Sequence, residues 1–158
     1  MKILYVCTHN RCRSILSEAI TNDLSNGEIH AFSAGSQPVG AVHPLSIRYL
    51  AELGIDTQGL KSQSWDEFKE EQPDLVVTVC DSAASETCPV WFGDTVIIHW
   101  PLPDPSKLKG SDEEIRAAFM AVINTIKKRV QLLLDAPLEG LSKAQRQAVL
   151  QRLLMGSL

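Results

Sequence analysis

The sequence predicts an α/β fold in three layers, a central four-stranded parallel sheet with helices on both faces. Three observations carry this. Short β-branched and apolar runs alternate with segments whose apolar residues recur at helical spacing, the pattern of parallel strands joined by crossover helices. The strand-like runs are almost continuously apolar, as strands covered on both faces are. With 158 residues, 44% hydrophobic and 22% charged, the chain has the size of one ordinary domain and can bury about 70% of its unfolded surface.

Lys2 to Val6 is a short apolar run that reads as a buried first strand, ending at Cys7. From Ser14 the residues Ile15, Leu16, Ala19, Ile20 and Leu24 repeat at helical spacing, and Asn26-Gly27 closes that helix. Glu28 to Ser33 reads as the second strand, before Ala34-Gly35. His43-Pro44 opens a helix with Leu45, Ile47, Leu50, Ala51 and Leu53 on its apolar face and Gly54 as its cap. Ser64, Trp65 and Glu67 resemble a short capped helix running to Glu71. Asp74 to Cys80 is the strongest strand, Thr95 to His99 another, and Ser111 begins a long helix reaching about Leu134 with an N-cap composition, Ser-Asp-Glu-Glu. Residues 1–137 are expected to form the domain. Residues 138–158 are expected to add an amphipathic helical extension, with Leu141, Ala144, Ala148, Leu150, Leu153 and Leu154 on its apolar side.

Several function classes drop out. No apolar run reaches the ~18 residues of a membrane span, and the opening Met-Lys-Ile-Leu-Tyr-Val-Cys turns polar too soon for a secretory signal. A net charge of −4 gives no electrostatic case for nucleic acid. A soluble, cytoplasmic protein is expected. Its four cysteines, Cys7, Cys12, Cys80 and Cys88, are then poor candidates for structural disulfides. Their spacings, four and seven intervening residues, are not those of a zinc site, and no metal is expected. Redox or nucleophilic chemistry remains, beside the plain alternative of small buried hydrophobes.

In such folds active sites lie beyond the C-terminal strand ends, and both Cys7 and Cys80 end a predicted strand. Cys7-Thr8-His9-Asn10-Arg11-Cys12-Arg13-Ser14 joins the first strand to the first helix. A tight loop there can turn backbone amides inward as an oxyanion nest at the positive end of the helix. Arg13 adds a planar fork suited to two oxygens. Cys7 is expected to be held as thiolate by the amides, the helix N-terminus and the Ser14 hydroxyl, facing the same anion as Arg13. Thr8, His9, Asn10, Arg11, Cys12 and Arg13 form the expected oxyanion-binding run. Within it His9 and Arg11 shape the local field, and Cys12 reads as a packing residue.

The loop Cys-x5-Arg-Ser at the start of the chain resembles that of the low-molecular-weight phosphatase superfamily. Within it, the chain is similar to the thiol-dependent arsenate reductases. Further matching segments are Ser33-Ala34-Gly35, Val42-His43-Pro44, Leu53-Gly54-Ile55-Asp56, Asp74 to Cys80, Cys88-Pro89, and His99 through Asp104-Pro105, and together they span about residues 1–135. The resemblance implies reduction of arsenate to arsenite. Cys7 attacks arsenate, Cys80 attacks Cys7 to release arsenite, and Cys88 attacks Cys80 to carry the disulfide outward. Asp104 acts as general acid, the alternative for Asp-Pro being a simple turn. No bound cofactor is implied. The external reductant is thioredoxin or a glutathione/glutaredoxin system, and the chain is expected to be a monomer or weak homodimer.

The sequence departs from the family in three places. Phosphotyrosine phosphatases follow Asp-Pro with aromatic residues, whereas Ser106 and Lys107 stand here, favouring a small inorganic anion with weak phosphatase activity retained. Some members hold potassium with an asparagine, a glutamate, a serine and an aspartate; Asn10, Glu18 and Ser33 match, but Gln63 replaces the carboxylate and makes a poorer cation site. The better-studied members have one residue fewer between the last two cysteines. His30, His43 and His99 read as structural or surface residues, and Trp65, Trp91 and Trp100 as packing. A low-molecular-weight protein tyrosine phosphatase is the alternative reading, since it needs neither Cys80 nor Cys88. A non-catalytic oxyanion-binding module is the third.

Overall fold

A computed structural model describes residues 1–80, 92–93, 95–136, 138 and 140–156. Four parallel strands, β1 (Lys2–Val6), β2 (His30–Ala34), β3 (Leu75–Thr78) and β4 (Val96–His99), form one sheet in the order β2-β1-β3-β4. Among the described residues four α-helices accompany them: α1 (Arg13–Ser25), α2 (Pro44–Glu52), α3 (Asp112–Asp135) and α4 (Lys143–Gly156). Short 3-10 turns occupy Trp65–Phe68 and Pro105–Lys107. The three-layer parallel fold expected from the sequence is the one observed.

Alternation within the strands explains the layers. Tyr5 and Val77 turn toward α1 and α3, where they meet Ser17, Ile126 and Val130. On the other face Phe32 packs on Phe68, ring centroids 5.3 Å apart. Helix α3 presents Phe119, Val122, Ile123, Ile126, Val130 and Leu133 to the core, a stripe interrupted by one charged residue, Arg129. Leu150 of α4 is buried in the same core, so that helix packs on the domain.

Two expectations shift. The second strand begins at His30 rather than Glu28, because the Glu28 amide still bonds the Ser25 carbonyl in the turn that ends α1. Helix α2 buries Ser46, Tyr49 and Leu50 and leaves Ala51 and Leu53 exposed. Tyr49 rotates it: its ring packs on Phe119 at 5.0 Å, and the guanidinium groups of Arg48 and Arg116 lie 5.6 and 5.4 Å from the same ring.

The order β2-β1-β3-β4 puts the switch in crossover direction between β1 and β3. That is where open parallel sheets leave a crevice at their C-terminal ends. The pairing Val6↔Thr78 carries Cys7 and Thr8 alongside Val79 and Cys80.

Candidate active site

The segment from Cys7 to Cys12 is shaped from outside by backbone. The carbonyls of Thr8, His9 and Arg11 accept hydrogen bonds from the amides of Gln37 (2.9 Å), Val39 (3.2 Å) and His43 (2.9 Å), and the Cys12 carbonyl accepts from Leu16 (2.8 Å). Ser62 Oγ adds a second donor to the His9 carbonyl at 3.1 Å. A planar trans peptide points its N–H opposite its C=O, so carbonyls pulled outward aim the amides of His9, Asn10, Cys12 and Arg13 into the hollow. Asn10 takes the turn in a left-handed conformation, φ 48°. It is fully buried, donates from Nδ2 to Ser14 Oγ at 2.8 Å and accepts at Oδ1 from the Gln63 amide at 2.8 Å. No side chain caps the start of α1, which leaves its first amides for an anion.

Over this bowl lies the loop that follows β4. Arg13 reaches it twice, donating from Nη1 to the Leu102 carbonyl (3.1 Å) and pairing through Nη2 with Asp104 Oδ2 (3.6 Å). Asp104 Oδ1 accepts from both the amide (3.0 Å) and the hydroxyl (2.6 Å) of Ser106, capping the short helix Pro105–Lys107. The two carboxylate oxygens of Asp104 have different partners: Oδ1 makes the turn, and Oδ2 faces the guanidinium.

Cys7 and Cys80 are both buried, and the Val6↔Thr78 register sets them side by side at the strand ends, near enough for each thiol to influence the other. Thr8 Oγ1 lies 3.8 Å from Cys80 Sγ. The expected standing thiolate at Cys7 is corrected. The Cys80 thiol and then burial push the Cys7 thiol above the ordinary range, outweighing Arg13 and the His9 amide. Two adjacent sulfurs resist a second negative charge, so the pair gives up its first proton as a unit. Cys12 is buried beside the helix start with its thiol pushed up to about 11 by that burial, which fits a packing role. His9 is exposed and Arg11 half-buried at the rim. Cys88 and the intervening residues 81–87 lie outside the described residues, as does Trp91.

Three further residues shape the site through contacts that periodicity does not show. Gly35 follows β2 where a Cβ would stand 2.4 Å from the Thr8 carbonyl oxygen and 2.8 Å from that of Cys7. His43 caps α2, its Nδ1 accepting from the Leu45 amide at 3.1 Å, and is kept neutral by burial and then by Arg11. Gln63 supplies a neutral amide where the family's carboxylate stands, donating from Nε2 to the Ser33 carbonyl at 3.2 Å. The Ser33 hydroxyl donates in turn to Glu18.

Burial pushes the Glu18 carboxyl up to about 7, above its ordinary 4.5 and against the pull of Ser33. The folded chain then keeps a proton that the unfolded chain has lost, so stability falls as pH rises from about 4.5 to about 7. The fall amounts to roughly 3 kcal/mol. Glu18→Gln is expected to match the parent in urea unfolding at pH 4.5 and to exceed it at pH 8.5 by up to about that amount. Equal stabilities at pH 8.5 would refute the assignment.

The chain matches the low molecular weight phosphotyrosine protein phosphatase family over residues 2–147. It is 36% identical over 129 residues to an arsenate reductase of Halalkalibacterium halodurans, covering 82% of this chain and 91% of that protein. It is 30% identical over 133 residues to a glutaredoxin arsenate reductase of Synechocystis sp., covering 84% and 95%. Among solved structures, an arsenate reductase in the intermediate state superposes with a TM-score of 0.68 at 29% identity, over 84% of this chain and 95% of that one.

Proposed function

The chain belongs to the low molecular weight phosphotyrosine protein phosphatase family, and on that premise we propose that it is an arsenate reductase with Cys7 as nucleophile. The observation that carries the reading is a second buried thiol, Cys80, brought beside Cys7 by the Val6↔Thr78 register at the base of the loop. Ester hydrolysis needs one sulfur. Reduction needs two electrons, and two adjacent thiols supply them.

Arsenate enters the bowl of amides and takes over the fork of Arg13, releasing Asp104 Oδ2. The released Asp104 carboxylate takes the Cys7 thiol proton as the sulfur bonds to arsenic, one As–O bond breaks, and Asp104 passes that proton to the departing hydroxyl, which leaves as water. The Cys80 thiolate then attacks the Cys7 sulfur. An S–S bond forms, the S–As bond breaks, and its electron pair stays on arsenic, which falls from V to III and departs as arsenite. Thr8 Oγ1 is placed to donate to the Cys80 sulfur as it ionises. Cys88 would next attack Cys80, freeing Cys7, with thioredoxin or glutaredoxin reducing the resulting disulfide. A glutaredoxin partner draws support from the name of the Synechocystis relative. Such a cycle belongs in the reducing cytoplasm, and no helix among the described residues is long and apolar enough to cross a membrane. Residues 138–158 are read as an extension that completes the core through Leu150 rather than as part of the chemistry.

The phosphatase alternative keeps one observation in its favour: Arg13, Asp104 and the loop are complete without Cys80. Fully reduced protein mixed with excess arsenate and no added reductant separates the two. The reductase loses two thiols per arsenite released, with Cys80 in the disulfide recovered by peptide mapping. A protein that hydrolyses aryl phosphates but loses no thiols to arsenate is a phosphatase.

A further inference from the structure

Arg129 lies on the buried stripe of α3, at an apolar position by helical spacing. Its Nη1 donates to the Trp100 carbonyl at 2.8 Å and its Nη2 to the Pro101 carbonyl at 2.9 Å. The guanidinium also stacks over the Trp100 ring, 5.0 Å from its centroid. Among the described residues no carboxylate pairs with it, and Nε has no hydrogen-bond partner. It borders a cavity of about 10 Å³ lined by Tyr5, Ser17 and Leu102 among others, room for about one water. A cation buried without a counter-charge is costly to a fold. Leucine or methionine would fill the same stripe without that cost.

Its two carbonyls explain the arginine. Successive carbonyls of an extended strand point to opposite sides, so one fork can bind two in a row only where the chain bends. The bend at Trp100–Pro101 is where the chain leaves β4 and turns across the crevice toward Asp104. Downstream, the Leu102 carbonyl is held by Arg13. On either side of the bend, the amides of Trp100 and Leu102 bond the carbonyls of Thr78 and Val79, at 2.8 and 3.0 Å. Pro101 and Pro103 have no amide to offer, so the path to the acid depends on its carbonyls.

We propose that Arg129 is a positioning residue for the general acid, fixing the bend that sets Asp104 beside Arg13 without touching the substrate itself. The inference rests on the reading of Asp104 as acid. A lysine keeps the charge but offers a point donor in place of a fork, so R129K separates the bend from the charge.

The test measures kcat and KM for hydrolysis of phenyl phosphate and p-nitrophenyl phosphate by the parent, R129K, R129M, D104N and R129K/D104N, with circular dichroism confirming folding. Phenolate is a poor leaving group that needs the acid's proton, whereas p-nitrophenolate leaves with little help. R129K is expected to lose about tenfold to a hundredfold in kcat on phenyl phosphate, much less on p-nitrophenyl phosphate, with KM within about twofold. In the D104N background it should lose nothing further. Equal losses on both esters, additive slowing in the double variant, or a rise in KM alone would each overturn the proposal. R129K decides the matter if R129M fails to fold. Running the same proteins with arsenate keeps the two claims apart: a parent that hydrolyses the esters but leaves arsenate untouched sinks the reductase and not the coupling, and a parent with neither activity sinks both.

Discussion

Cys80→Ala is expected to stop arsenite release altogether while aryl phosphate hydrolysis persists. The reason is electron count. Arsenic accepts two electrons, Cys7 alone can form the adduct but cannot reduce it, and Cys80 is the buried thiol that the strand register sets beside it. Among the described residues the third buried thiol, Cys12, stands at the start of α1 with no part in that pair. The same variant changes Cys7 in a defined direction. The Cys80 hydrogen bond is the largest influence raising the Cys7 thiol, ahead of burial, and Arg13 and the His9 amide would act against burial alone once it is gone. Alkylation of Cys7 by iodoacetamide, followed by peptide mass against pH, should therefore set in at lower pH in the variant. Sustained arsenite release by Cys80→Ala would remove the basis of the reductase reading.

Gly35→Ala is expected to cost about a hundredfold in both arsenate reduction and ester hydrolysis, the scale of a 1 Å misplacement of reacting groups. The added methyl would stand 2.4 Å from one backbone oxygen and 2.8 Å from another, with Asn10 Cβ at 3.1 Å. No side chain can swing aside to relieve a clash with main chain. Gly35 is not among the glycines with positive φ, so the loss is steric and not conformational. The loop carrying Cys7 must retreat, or the strap that holds its carbonyls must. Steady-state rates with both substrates and phosphate inhibition constants would read the change, and wild-type rates in a folded variant would contradict this picture of the loop.

The parts of this molecule that depend on neighbours in sequence were legible in it. The first strand, the N-cap Ser111, the capping box of Ser64 and Glu67, and the loop between Cys7 and Ser14 are all local patterns, and each stands where expected. Contacts across the chain were not legible. The face of α2 was misplaced because Tyr49, absent from the apolar set that defined that face, is drawn onto Phe119, seventy residues away. Gly35 matters for what lies against it, and its sequence surroundings say only that a strand ends. Arg129 did leave a signal, a charged residue three positions after Ile126 and seven after Val122 on an otherwise apolar stripe, but its purpose depends on carbonyls 28 and 29 residues distant. The protonation of Cys7 needed Cys80 beside it, and no count of loop amides could supply that.

The strap of amides around residues 8–11 has a consequence for how chemistry can change on this scaffold. The bowl is drawn in peptide groups, which every residue type shares, so the side chains on its outer wall can be exchanged without redrawing it. What happens to a captured anion is then decided by whoever leans over the rim, an acid from the loop after β4 or a sulfur from the end of β3. On the proposed mechanism, hydrolysis and reduction would be neighbouring occupations of one vessel, separated by the thiols at its rim and not by any rebuilding of the floor.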